Sequence, residues 1–146
     1  MIESSTKALA FNCEFMNIFL PDSILSNKHF FKQLLDIKNL NINKINFLDK
    51  SFLKFGFLSK HIKKKIDKAD IVFVHNSKLL KVLRSYFPKK KIILFFHTDK
   101  IKQFHDFKFA NKVLTVNKTM ENKINYLYSN KASYLPNASS KLLEKK

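Results

Sequence analysis

Three short apolar runs, Ile71-Val72-Phe73-Val74, Lys91-Ile92-Ile93-Leu94-Phe95-Phe96 and Val113-Leu114-Thr115-Val116, each end in polar residues. The first leads into Leu79, Leu80 and Leu83 and the third into Met120, Ile124 and Leu127, both at helical spacing. Continuous β-branched and aromatic runs suit strands buried on both faces, and the apolar residues between them suit crossover helices. The alternation therefore predicts an α/β chain: a Rossmann-like, mostly parallel, doubly wound sheet in a single domain with right-handed crossovers.

The remaining segments extend this pattern. Phe15 to Leu20 reads as an early strand stopped by Pro21, and Ser26 offers an N-cap for a helix carrying Phe30, Leu34 and Ile37. Asn41 to Leu48 alternates poorly and reads as a weak strand or a loop. From Ser51 onward Phe52, Phe55, Leu58, Ile62 and Ile66 share one stripe while Lys60, Lys63, Lys64 and Lys65 mostly face away, which predicts one amphipathic helix. Ala132 to Leu135 is a last short strand before Pro136. The domain is expected over residues 1–138, with a lysine-rich tail over 139–146.

Charge calls for a closer look. Lys and Arg total 28 against 11 Asp and Glu, a formal net charge of +17, yet Arg84 is the only arginine. Lys, Asn, Ile and Phe share A/T-rich codons, so base composition explains much of the excess. A dedicated nucleic-acid reader would favour arginine, whose planar fork pairs with phosphates and guanine edges. No specific nucleic-acid partner is expected, although a strong positive field attracts anionic surfaces. Cys13 alone cannot form an intramolecular disulfide, and no apolar run approaches the roughly 20 residues needed to span a bilayer. A cytoplasmic protein is expected, attached to membranes at most peripherally. P-loop, G-x-G-x-x-G and H-E-x-x-H patterns are missing from the sequence, so no cofactor and no metal are expected.

In open parallel sheets ligands sit beyond the carboxyl ends of the strands. That rule selects His75 and Asn76, then His97, Thr98 and Asp99, and Asn117. Asn76, Ser77 and Asn117 have a structural reading as helix caps. Histidine caps poorly, which favours a functional reading for His75 and His97. His29, His61 and His105 carry no such signal.

Four landmarks then occur in order: Ala69-Asp70-Ile71-Val72-Phe73-Val74-His75, Leu94-Phe95-Phe96-His97-Thr98, Phe109-Ala110-Asn111-Lys112-Val113-Leu114-Thr115-Val116-Asn117 and Tyr134-Leu135-Pro136-Asn137-Ala138. Together they resemble the acceptor-side half of the retaining GT-B glycosyltransferases, the large family that includes bacterial mannosyl- and glucosyltransferases of cell-envelope glycan biosynthesis. Ile2 to Ala10 is similar to that family's first helix. The resemblance implies that His97 is the catalytic residue facing the interdomain cleft, and that Thr98, His75 and Asn76 bind substrate. It also implies a nucleotide-sugar donor held by a second domain and a glycan or lipid acceptor. The family's first strand, its glycine-rich loop, and its paired glutamates seven residues apart have no counterpart in this sequence, and Ala138 stands at the hinge glycine. Half of a hexosyltransferase, inactive as an isolated chain, is therefore expected. Lys63 to Lys65 and Pro88 to Lys91, with Phe52, Phe55 and Phe57, would suit an anionic membrane surface, although packing into the core is the expected fate of most of these phenylalanines. The alternative is a non-catalytic, basic Rossmann-like protein that binds an anionic surface or nucleic acid.

Overall fold

The computed structural model describes residues 14, 16–21, 37–97 and 104–135. The expected helix over Ile2 to Ala10, Cys13, the helix carrying Phe30 and Leu34, His29, Thr98 and Asp99, the Pro136 to Ala138 hinge and the tail over 139–146 lie outside the described residues. The chain divides into two compact units, residues 1–54 with 138–146 and residues 55–137.

In the first unit β1 (Met16–Pro21) pairs in parallel with β2 (Leu40–Ile45), in register from Met16 opposite Leu40 to Pro21 opposite Ile45. The segment expected as a weak strand or loop is thus a regular strand as far as Ile45, and its poor hydropathic alternation has a polar cause. Asn17 Oδ1 accepts from both Asn41 Nδ2 and Asn43 Nδ2 at 3.1 Å, and this pairing lets Asn43 be buried. Helix α1 (Phe47–Lys54) follows at once. Its start is a reciprocal cap: Asp49 N donates to Asn46 Oδ1 at 2.8 Å, and Asn46 N donates to Asp49 Oδ2 at 3.3 Å.

The single helix expected from Phe52 to Ile66 is two helices. The chain breaks after Lys54, and Gly56, the only glycine, takes φ +82°, the left-handed conformation that ends helices cheaply only without a Cβ. Helix α2 (Lys60–Asp67) then buries Ile62 and Ile66, as the stripe requires, and leaves Lys60, Lys63 and Lys64 in water. The break overturns the expected burial of the phenylalanines. Phe55 is 73% exposed, and Phe52 and Phe57 are exposed as well.

The second unit holds a four-stranded, all-parallel sheet in the order β3 (Ile71–Val74), β4 (Lys91–Phe96), β5 (Lys112–Thr115), β6 (Ala132–Tyr134). Helix α3 (Leu79–Tyr86) joins the first two strands and α4 (Lys118–Leu127) the last two. The connection from β4 to β5 includes a 3-10 helix, Phe104–Phe109, that no apolar periodicity announces. The result is a mixed α/β structure with parallel sheets, compatible with a Rossmann-like domain. Leu80, Ile92, Leu94, Phe107, Val113, Thr115 and Ile124 are fully buried around the sheet. Each large apolar side chain among them contributes about 1.5–3 kcal/mol against solvent exposure. Among the described residues no helix is long and apolar enough to cross a membrane.

Candidate functional site

The carboxyl ends of β3 and β4 bring together two of the residues selected from sequence. Val74 lies opposite Leu94, so His75 falls opposite Phe95, and His97 is its diagonal neighbour two positions on. Residues two apart share a sheet face, which puts Phe73, His75, Phe95 and His97 on one face. His75 Nδ1 and His97 Nε2 are 2.9 Å apart and hydrogen-bonded. The two imidazole planes differ by 6°, and Phe95 lies parallel to both within 11°. Phe73 closes the row, its ring centroid 5.5 Å from that of Phe95. Each strand carries a Phe-x-His triplet, Phe73-Val74-His75 and Phe95-Phe96-His97, and that repeat is the sequence signal for the pairing. The phenylalanines backing the histidines are the site residues that the sequence reading passed over.

The hydrogen positions follow from what surrounds the pair. His97 Nδ1 is buried with no hydrogen-bond partner. A buried N–H without an acceptor costs more than an idle lone pair, so His97 carries its proton on Nε2 and donates to His75 Nδ1. His75 then carries its own proton on Nε2. His75 keeps exposed surface although its ring is partly enclosed against Phe95 and His97, and His97 is half-buried. Both of His97's nitrogens are thus occupied or enclosed, which leaves His75 Nε2–H as the donor the pair does not use itself.

Burial of the ring, and secondly the charge on His97, lower the pKa of His75 from 6.5 to about 4. Burial lowers that of His97 as well. The pair is therefore neutral at pH 7 and acts through hydrogen bonds rather than charge. Because His75 has its folded pKa below the unfolded value of 6.5, the unfolded chain takes up this proton first. The associated stability is complete above pH 6.5 and is lost as pH falls toward 4. His75→Asn keeps an acceptor for His97 Nε2–H and cannot titrate. Relative to the parent, its melting temperature is expected to gain as pH falls through this window, by an equivalent of about 1 kcal/mol after discounting for solvent screening. A constant difference between the two proteins across that range would remove the depressed pKa.

Asn76 and Asn117 have structural tasks. Asn76 Oδ1 accepts from Lys78 N at 3.1 Å, forming an Asx turn that leads into α3. Asn117 caps α4 by accepting from Met120 N at 3.2 Å. Asn76 remains exposed beside His75. His61 and His105 are surface residues. Among the described residues no group of three His, Cys, Asp or Glu side chains is placed to hold a metal ion.

Compared with protein-family models, curated proteins and solved structures, the chain matches none.

Proposed function

We propose that this chain is the acceptor-side half of a sugar transferase, with the end of β3 as its acceptor contact. One observation carries the reading: two of the four glycosyltransferase-like landmarks supply His75 and His97, and these meet at 2.9 Å at the carboxyl ends of adjacent parallel strands. The division of labour is then specific. His97 is a positioning residue that orients His75, and His75 Nε2–H donates to an acceptor hydroxyl, with the exposed amide of Asn76 beside it. A neutral donor backed by a row of parallel rings suits an uncharged hydroxyl better than a phosphate. In same-face transfer the departing diphosphate removes the acceptor proton, so this half has only to place the hydroxyl. Donor recognition is left to residues other than these.

A second reading has its own observation. Helix α1 presents Phe47, Leu48 and Phe52 to solvent beside Lys50 and Lys54, an arrangement that suits an anionic lipid surface. An NMR titration separates the two. Maltose, lactose and mannobiose are added in turn to the 15N-labelled chain, alone and with UDP-glucose or GDP-mannose. The sugar reading expects shifts at His75 and Asn76 from at least one disaccharide, lost in His75→Ala. Silence at His75 combined with binding to phosphatidylglycerol vesicles would favour the lipid-surface reading.

A further inference from the structure

The four-stranded sheet has two edges, and they are treated differently. At β6 the outward backbone groups are closed by side chains of α4. Asn125 Oδ1 accepts from Ala132 N at 2.7 Å, Asn125 Nδ2 donates to Ala132 O at 3.2 Å, and Glu121 Oε1 accepts from Tyr134 N at 2.9 Å. That edge cannot add a strand without first giving up these bonds.

At β3 the alternation of a parallel ladder fixes which groups face out. Asn111 N donates to Ile92 O at 2.7 Å, and Ile92 N donates to Asn111 Oδ1 at 2.8 Å, so Ile92 faces β5. Lys91 and Ile93 therefore face β3, and Val72 and Val74 face back toward them. Ile71 and Phe73 turn their N–H and C=O groups to the outer edge, where no hydrogen bond among the described residues reaches them. Ile71 is 39% exposed. The strand Ile71-Val72-Phe73-Val74 carries none of the usual guards, neither lysine, proline nor bulge. One edge is closed by three directed hydrogen bonds while the other is left open and apolar.

We propose that the β3 edge is a docking edge that accepts one extended, apolar strand with acidic flanks, supplied by another polypeptide. Main-chain bonds to Ile71 and Phe73 would hold such a strand by β-augmentation. Charge selects the occupant. Lys68 and Lys78 lie exposed on either side of β3 and Lys91 on the neighbouring strand, with Asp67 and Asp70 the acids nearby. A second copy carries the same net charge of +17 and is repelled overall, whereas an acidic segment is attracted. The inference is independent of the sugar-transfer reading, because it rests on main-chain groups that the histidine pair does not use.

Amide hydrogen exchange of the full chain tests it, with the peptide Glu-Glu-Val-Ile-Val-Glu-Glu as probe. In the chain alone Ile71 and Phe73 are expected to exchange faster than Val72 and Val74, and saturating peptide is expected to slow those two amides by roughly tenfold or more. The same peptide N-methylated at alternate residues, which cannot complete the ladder, should leave them unchanged. Four results would overturn the proposal. Slow exchange at Ile71 and Phe73 in the dilute chain alone would mean that the chain fills its own edge, and slowing with protein concentration would make the occupant a second copy. No response to peptide would leave no docking edge, and equal protection by the methylated peptide would reduce the effect to charge.

Discussion

Replacing Arg84 with alanine is expected to cost about 3 kcal/mol, or roughly 10 °C in melting temperature for a chain of this size. The half-buried guanidinium joins three backbone carbonyls and one side-chain amide oxygen. Nε donates to Phe109 O at 3.0 Å, Nη1 to Pro88 O at 2.7 Å and Lys90 O at 3.0 Å, and Nη2 to Asn111 Oδ1 at 2.7 Å. Asn111 in turn holds Ile92 N, so the fork ties the end of α3 to the starts of β4 and β5. Truncation leaves carbonyls at the head of the sheet without their donors, and it is this loss that sets the size of the effect. One offset exists: burial and then Arg84 lower the pKa of Lys131, and removing the guanidinium relieves the second cause. Arg84→Lys separates geometry from charge. It keeps the cation but has no planar fork, and is expected to lose about 2 kcal/mol. Urea denaturation of the three proteins checks this, and a Lys variant as stable as the parent would show that charge alone suffices.

Arg84 also shows where composition misleads. Against 27 lysines a lone arginine looks like the residue of a drift toward A/T-rich codons. The structure gives it the one described position where a cation must serve several carbonyls and an amide oxygen together, which a point charge on a flexible stem does badly. Part of the lysine excess is structural too. Lys90 Nζ donates to Asp67 O at 2.8 Å and Ala69 O at 2.7 Å, closing the end of α2, and Lys112 Nζ donates to Asn130 O at 3.0 Å.

What could be read from sequence depended on whether apolar spacing or something else set the structure. Strands β3, β4 and β5 were legible because their side chains are apolar on both faces, and α3 and α4 because Leu80, Leu83, Met120 and Ile124 recur at helical spacing and are buried. Strand β2 was faint because Asn43 is buried through amide bonds, which hydropathy scores as exposure. The helix over 52–66 was overextended because a stripe of Phe52, Phe55 and Leu58 outweighed the one residue that mattered, Gly56. His75 and His97 were each visible as polar strand ends. Their contact depended on strand register, which a single sequence fixes only through the repeated Phe-x-His triplet.

The 3-10 helix left no periodic trace, yet one of its side chains carries the second large effect. Phe107 is 1% exposed and meets Phe96 edge to face, with centroids 5.1 Å apart and ring planes at 67°. It packs the 3-10 helix against the last residue of β4. Ala110 N donates to Phe107 O at 3.1 Å, so the same residue also closes the turn into β5. Phe107→Ala removes the ring but keeps that backbone bond, and is expected to cost about 3–5 kcal/mol through lost transfer energy and the cavity left behind. Phe107→Leu refills most of the volume but loses the edge-to-face contact, and is expected to cost about 1–2 kcal/mol. The ratio of the two losses in urea denaturation is the informative quantity. If Leu and Ala cost the same, the ring's shape sets the stability; if neither costs more than a surface substitution, Phe107 does not hold β4 and the turn together.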